Sequence, residues 1–365
     1  MVLPLALQFL LQVAVILAAC RIAGWLMQRI GQPKVIGEMI AGILLGPSLL
    51  GLVAPSVQTT LFPPASLGLL STVSKFGLVL YMFVVGTHLQ TGFIKRSFRS
   101  ALLISLTGIV VPFVLGAALA SFFHRDGRFF AAHVSHSLSM IYLGAAMAVT
   151  AFPVLARIIE ERGIGGTALG TLALSAGAMN DAIAWGLLAI VLVDLTPQFN
   201  VLEFLGSHAV LLAFLAGALL PRTPRTSEAG RRVEWAAATV LIPLFFAYSG
   251  LSTRLSLLWS TDLLIVSAAV VGVASFGKGV ACWAAARLTG RSSAEAVAIG
   301  ALMNARGLME LIMLSIGLEH GVITPTLFTV MVVMTLVTTV AAGPLFERAW
   351  RGSREMQEFE GVRAH

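Results

Sequence analysis

Apolar residues run along this chain in long blocks, separated by short polar stretches that hold most of the charges. Reading each block as a helix gives about eleven, over residues 6–28, 35–52, 67–88, 100–122, 138–158, 167–193, 203–220, 234–252, 261–286, 295–318 and 325–346. Most of them hold about 20 residues or more, the length an α-helix needs to cross roughly 30 Å of hydrocarbon. The pattern predicts an all-α, polytopic membrane protein embedded in the lipid bilayer.

Composition agrees. The chain is 58% apolar and 11% charged, against about 45–50% and about 25% in soluble domains. The net charge of +7 is not gathered on one segment, so it does not indicate nucleic acid. With the N-terminus outside, Arg29, Lys34, Lys95, Arg96, Arg99, Arg162, Arg222, Arg225, Arg231, Arg232, Arg287, Arg291 and the C-terminal arginines share one side. Only Arg125, Arg128 and Arg254 fall in the opposite loops. By the positive-inside rule this predicts N-out, C-in. The expected location is the bacterial inner (plasma) membrane. Leu17-Ala18-Ala19-Cys20 has the look of a lipoprotein cleavage site, but no Lys or Arg precedes its apolar run. Cys20 and Cys282 fall within blocks and imply no disulfide framework. His133 and His136 read as a solvated loop pair rather than metal ligands.

One membrane domain is expected over 1–348, with halves 1–193 and 201–348 and a short cytoplasmic tail at 349–365. Two pieces recur between the halves. Ala41-Gly42-Ile43-Leu44-Leu45-Gly46-Pro47 in the second block is echoed by Ala216-Gly217-Ala218-Leu219-Leu220-Pro221 in the seventh. Phe83-Val84-Val85-Gly86 is loosely echoed by Phe246-Ala247-Tyr248-Ser249-Gly250. The echoed blocks run in opposite directions through the membrane, which predicts an inverted-topology repeat. The echoed element is second in one half and first in the other, so the second half lacks its opening helix.

Apart from those at the first or last two positions, the Asp, Glu, Lys and Arg residues inside the blocks are few: Arg21, Glu38, Lys75, Asp181, Lys278, Arg306 and Glu310. Each costs about 2.5–3.5 kcal/mol at a helix centre. Arg21, Glu38 and Lys75 lie near block ends, where a side chain snorkels to water. Asp181 is too deep for that. It is the fifteenth residue of the run Thr167–Val193, which holds no other charge. Lys278 is one candidate partner. A carboxylate poised between desolvation and a nearby cation holds either a proton or a metal cation, but not both. Asn180 cannot titrate, and its amide oxygen can accept a hydrogen bond or coordinate. Gly177, one turn away, is expected to let another backbone approach. Arg306 and Glu310, four apart, read as an ion pair. Two blocks also look broken, at Thr150-Ala151-Phe152-Pro153 and at Asn304-Ala305-Arg306-Gly307, in corresponding places of the two halves.

Four ordered motifs carry a family resemblance: Val149-Thr150-Ala151-Phe152-Pro153-Val154-Leu155-Ala156-Arg157, Met179-Asn180-Asp181-Ala182-Ile183-Ala184-Trp185, Phe276-Gly277-Lys278, and Met303-Asn304-Ala305-Arg306-Gly307-Leu308-Met309-Glu310-Leu311. Together with Gly37-Glu38 and Ala41–Pro47, they resemble the monovalent cation:proton antiporters of the second superfamily. Plant-type cation/proton exchangers and their bacterial relatives are the nearest in pattern. The resemblance implies crossed, interrupted helices in a core that moves against a dimerisation domain, hence a homodimer. It implies exchange of K⁺ or Na⁺ for H⁺ with no cofactor, a transporter and not an enzyme. Asp181 is then the carrier of cation and proton, with Asn180 beside it and Lys278 as basic partner. Thr150 and Pro153 mark the first break, and Asn304, Arg306 and Glu310 the second. Relatives place two further helices between the Asn-Asp block and the segment His208–Pro221; here Val193 leads there almost directly. A transport-inactive homologue or sensor is therefore the alternative expectation. An intramembrane aspartyl protease needs a second facing aspartate, which no other block supplies.

Overall fold

The computed structural model describes residues 4–87, 98–195, 209–220, 232–233 and 235–352. In chain order its helices are α1 (Leu5–Arg29), α2 (Lys34–Leu45), α3 (Leu50–Val53), α4 (Pro55–Leu61), α5 (Pro64–Thr87), α6 (Phe98–Phe123), α7 (His136–Ala148), α8 (Phe152–Glu161), α9 (Ala168–Leu195), α10 (Ala209–Leu219), α11 (Ile242–Leu251), α12 (Thr261–Leu288), α13 (Ser293–Met303), α14 (Leu308–Glu319) and α15 (Pro325–Arg351). Every block read from the sequence is helical over most of its described residues. Seven stretches among them are long and apolar enough to cross a membrane. Lys95, Arg96, Arg222, Arg225, Arg231, the start of the seventh block and the tail beyond Gly352 lie outside the described residues.

Helix ends follow local chemistry. The side chains of Ser135, Ser260, Ser292 and Thr324 each accept the amide three residues on, capping α7, α12, α13 and α15. The second block, expected as one helix, stops at Leu45, because Gly46 is extended and Pro47 follows it. The short α4 that comes next, with Pro55 at its first position, was not legible as a helix. Two glutamines inside α1 hold it: Gln8 Nε2 donates to the Thr60 and Leu61 carbonyls (2.8 and 2.9 Å), and Gln12 Nε2 donates to Ser66 Oγ (2.6 Å).

The helices sort into two units, each drawn from both halves of the chain: residues 1–89 with 192–257, and 90–191 with 258–365. In the first unit Ile16, Cys20, Phe62, Leu70, Leu244 and Leu251 form a buried core. Here the two sequence echoes meet. Gly42 of α2 lies against α11, where a Cβ would stand 2.2 Å from the Ala247 carbonyl oxygen. Gly217 of α10 lies against α5, where a Cβ would stand 2.0 Å from the Phe83 carbonyl oxygen. Aligning Gly86 with Gly250 makes Phe83 and Ala247 equivalent positions, so each echoed motif packs on the partner of the other. Chance similarity would not produce reciprocal contacts. The inverted repeat is thus realised as backbone-to-backbone packing through small residues.

The second unit contains both interrupted helices. The first is α7 and α8, joined by extended backbone at Val149–Ala151; the second is α13 and α14, joined through Asn304–Gly307. Tyr142 ties α7 to α14 by donating to the Met313 carbonyl (2.7 Å). The Thr324 amide donates to the Phe129 carbonyl (3.0 Å), which fixes the loop before α7 to the loop before α15.

The glycine contacts make a direct test. Gly42→Ala and Gly217→Ala each push a methyl into backbone and should each cost about 1–3 kcal/mol, lowering the melting temperature in detergent by several degrees. Gly68→Ala, on α5 with nothing within 4 Å of its Cβ position, should leave it unchanged or raise it. Equal melting of all three variants would show that the helices do not approach this closely.

Candidate functional site

The site forms where the two broken helices cross. When α7 stops at Ala148, its last carbonyls lose their helical partners, and hydrocarbon offers no water to replace them. Cations from elsewhere in the unit take their place. Arg306 donates from Nη2 to the Met147 carbonyl (2.8 Å) and from Nη1 to the Ala146 carbonyl (3.5 Å). Lys278, fully buried on α12, donates to the Ala148 carbonyl. Two basic side chains thus stand at the negative end of a helix dipole.

The breaks also bond to each other. The Ala151 amide donates to the Ala305 carbonyl (3.0 Å), and Thr150 Oγ1 donates to the Met303 carbonyl at the end of α13 (3.0 Å). Gly307 opens α14 at the crossing, where a Cβ would sit 3.2 Å from Val154 Cγ2. Pro153 is the second residue of α8, where its missing N–H leaves no bond unmade.

Asp181 lies in α9 at 1% exposure. Among the described residues, neither of its carboxylate oxygens has a hydrogen-bond partner. Lys278 is the charge that bears on it, but the lysine's hydrogen bond goes to Ala148 rather than to the carboxylate. Of the two roles open to the Asn180 oxygen, accepting and coordinating, the structure shows the first. Asn180 Oδ1 accepts the Thr150 amide (2.9 Å), so the oxygen is engaged in holding the first break. Its Nδ2 points toward α6, about level with Gly108, whose Cβ position lies 4.0 Å from it. Gly177 meets Phe152 and Leu155 side chains, not the backbone expected there. Asn304 is buried with its Oδ1 unpartnered among the described residues.

Arg306 and Glu310 do pair, Nη1 to Oε1 at 3.5 Å, with both side chains fully buried. Of the three residues expected to snorkel, Arg21 and Lys75 are exposed, whereas Glu38 is buried at 5% exposure. Its place near the end of α2 is covered by packing rather than by water. Cys20 and Cys282 are buried and free. His136 opens α7 and stacks on His124, with ring centroids 5.1 Å apart.

One residue the sequence reading passed over is Thr339 of α15, 2% exposed. Its Oγ1 accepts the Arg306 amide (3.0 Å) and lies 2.8 Å from the Arg306 carbonyl and 2.7 Å from the Thr335 carbonyl. It thereby holds both backbone groups of a residue that lies outside either half-helix. The signal was present as a hydroxyl stripe, Thr335, Thr338 and Thr339, inside an apolar block.

Crossed half-helices with a buried carboxylate beside them define a membrane fold of the secondary-transporter class. The chain belongs to the sodium/hydrogen exchanger family, whose transmembrane model matches residues 15–200 and 198–352. It is 38% identical to the Na⁺/H⁺ antiporter NhaS4 of Synechocystis, over 93% of this chain and 96% of that one. It is 31% identical to cation/H⁺ antiporter 17 of Arabidopsis thaliana, over 95% of this chain but 49% of that one, so it spans about half that relative's length. Its fold is similar to the solved sodium proton antiporter MjNhaP1 of Methanocaldococcus jannaschii, with a TM-score of 0.62 at 11% identity, covering 96% of this chain and 98% of that one. The NhaS4 alignment runs over 395 positions while using 93% of a 365-residue chain. About 55 positions of the relative therefore lack a counterpart, enough for two helices of about 20 residues and their connections.

Thr339→Val keeps the shape and removes both bonds to Arg306. The Arg306 amide should then exchange deuterium about tenfold faster, equivalent to roughly 1.4 kcal/mol, while Thr339→Ser keeps the wild-type rate. Hydrogen-exchange mass spectrometry over residues 300–310 reads this, and unchanged exchange in the valine variant would contradict the role.

Proposed function

We propose that this protein is a secondary antiporter that exchanges a monovalent cation, K⁺ or Na⁺, for H⁺ through Asp181. The observation that carries the reading is the buried Asp181 carboxylate, which has no hydrogen-bond partner among the described residues beside a pair of crossed helix breaks. A carboxylate fixed in a structural bond resists exchange, whereas this one is free to take a proton or a cation. The unpartnered Asn304 oxygen is a neutral acceptor of the kind a dehydrated cation needs. Asn180 serves by fixing the first break, and its oxygen reaches a cation only when the bond to Thr150 opens. The relative named as a Na⁺/H⁺ antiporter supports Na⁺ among the candidates.

Charge bookkeeping follows from the residues. With Lys278 protonated, the site carries net charge +1 whether Asp181 holds a proton or a monovalent cation. The amide of Asn180 binds no proton in the accessible range. Exchange is then one for one and electroneutral. The setting is one membrane domain, 1–348, in a bacterial inner membrane, as a homodimer, with the N-terminus outside and the C-terminus cytoplasmic. The second reading is a transport-inactive homologue or sensor, and what favours it is that the NhaS4 alignment holds about 55 more positions than this chain fills, a number that matches the length of two spans and their connections.

Proton-coupled cation flux in reconstituted liposomes separates the two. The antiporter reading expects flux from the wild type and its loss in Asp181→Asn, with residual exchange no more than a few per cent. Well-folded protein without flux would favour the inactive homologue. Flux retained by Asp181→Asn would remove the aspartate from its role.

Voltage tests the stoichiometry. A membrane potential acts on net charge moved, at about 2.3 kcal/mol per elementary charge per 100 mV. Wild-type Na⁺ exchange should therefore be insensitive to a K⁺/valinomycin potential at fixed pH. Asn180→Asp adds a second proton-binding group and should introduce voltage dependence. A wild-type rate that follows the potential would reject electroneutrality.

A further inference from the structure

We propose that the basic end of α1 is a binding site for the phosphate headgroup of an anionic phospholipid. Arg21, Trp25 and Arg29 are spaced four apart, so they lie along one face of α1, and all three are exposed. Ile22 and Leu26 beside them are 62% and 48% exposed, so the flanks of this face are apolar. A mixed face of this kind suits the boundary between acyl chains and headgroups, where tryptophan collects.

The cations are arranged, not scattered. The Arg29 guanidinium sits 4.0 Å from the centroid of the Trp25 ring, a cation–π contact that orients its planar fork. Lys34, the first residue of α2, lays its stem across Gly24. A Cβ on Gly24 would stand 2.7 Å from Lys34 Cγ and 3.2 Å from its Cε. The glycine therefore lets a third cation come in beside Trp25. Arg21 lies about 12 Å deeper along the axis than Arg29, and its long stem lets the guanidinium rise toward the other two.

α1 contains no Asp or Glu to offset Arg21 and Arg29. The acid of α2, Glu38, is 5% exposed, and its backbone carbonyl lies at Cys20 Sγ on the buried side of α1. A deep, exposed arginine is costly in hydrocarbon unless an anion meets it. A lipid phosphate held between Arg21, Lys34 and Arg29 supplies that anion, and arginine pairs with phosphate through two parallel bonds. The acyl chains then lie along Ile22 and Leu26. The site is independent of the transport reading.

Trp25 is its own reporter. The protein in phosphatidylcholine nanodiscs is titrated with phosphatidylglycerol brominated on its acyl chains, and in parallel with brominated phosphatidylcholine. The Trp25→Phe difference isolates the Trp25 fluorescence. Phosphatidylglycerol should quench Trp25 at about fivefold lower mole fraction than phosphatidylcholine, as expected for attraction to neighbouring basic side chains. That preference should vanish in Arg21→Gln/Lys34→Gln, which keeps Trp25 and Arg29. If the double variant does not fold, the lipid comparison on the wild type still decides. Equal quenching by the two lipids overturns the proposal. So does displacement of the brominated phosphatidylglycerol by millimolar inorganic phosphate, which would mark a site for the free anion. Quenching by neither lipid would place a second copy of the chain over this face, and overturns it as well.

Discussion

Everything in the second unit depends on how the end of α7 is satisfied. Breaking a helix at membrane depth leaves carbonyls with no water to meet them. This chain answers with Lys278 and Arg306, which bond the carbonyls of Ala146, Met147 and Ala148. Both charges are thereby drawn to backbone, and each is held in turn: Arg306 by Glu310 and Thr339, Lys278 by complete burial on α12. The consequence falls on Asp181. Its nearest source of positive charge is engaged elsewhere, and its carboxylate oxygens remain without a hydrogen-bond partner among the described residues. A structural need at one helix end leaves a carboxylate available a short way off.

The two units solve different problems. The first is held by close approach of backbones at Gly42, Gly217 and Gly250, with an apolar core around Ile16 and Phe62. In a bilayer, apolar contact alone gives little advantage over lipid, so small residues that bring helices close do most of the holding. The second concentrates buried polar groups: the two breaks, the Arg306–Glu310 pair, Tyr142 and the threonines of α15. A network of that kind is stable only when most members are satisfied. Among the described residues the members without a hydrogen-bond partner include Asn180 Nδ2, the Asp181 carboxylate, Asn304 Oδ1, Arg306 Nε and the Glu310 carboxylate, the last of which is met by the Arg306 charge.

The break at Asn304–Gly307 also shows what a threonine can do that a second cation could not, which is to accept as well as donate. The Arg306 amide and carbonyl face the same hydroxyl, which accepts one and donates to the other. The same hydroxyl also lies within bonding distance of the Thr335 carbonyl in its own helix. One proton serves two acceptors, so the hold on the break is adjustable at the cost of a single hydrogen bond, about 0.5–1.5 kcal/mol.

The sequence alone determined the long helices, their places along the chain, the two breaks and the isolated Asp181, though not the short α4 or the stop at Leu45. Each rests on a one-dimensional signal: block length, a proline or glycine beside polar residues, a single charge in an apolar run. Even the repeat was legible, because Ala-Gly motifs recur in small residues that packing requires. Partnerships were not legible. Lys278 bears on Asp181 by charge, but its hydrogen bond goes to Ala148; the Asn180 oxygen could accept or coordinate, and its partner is the Thr150 amide; Glu38 was expected at water and is buried. The hydroxyl stripe Thr335, Thr338 and Thr339 marked α15 as unusual, but not which residue Thr339 meets, since its partner is 33 residues away. Charge and hydrogen-bonding capacity are properties of a residue and can be read in order. Which donor meets which acceptor depends on where separate helices cross, and only the tertiary structure decides that.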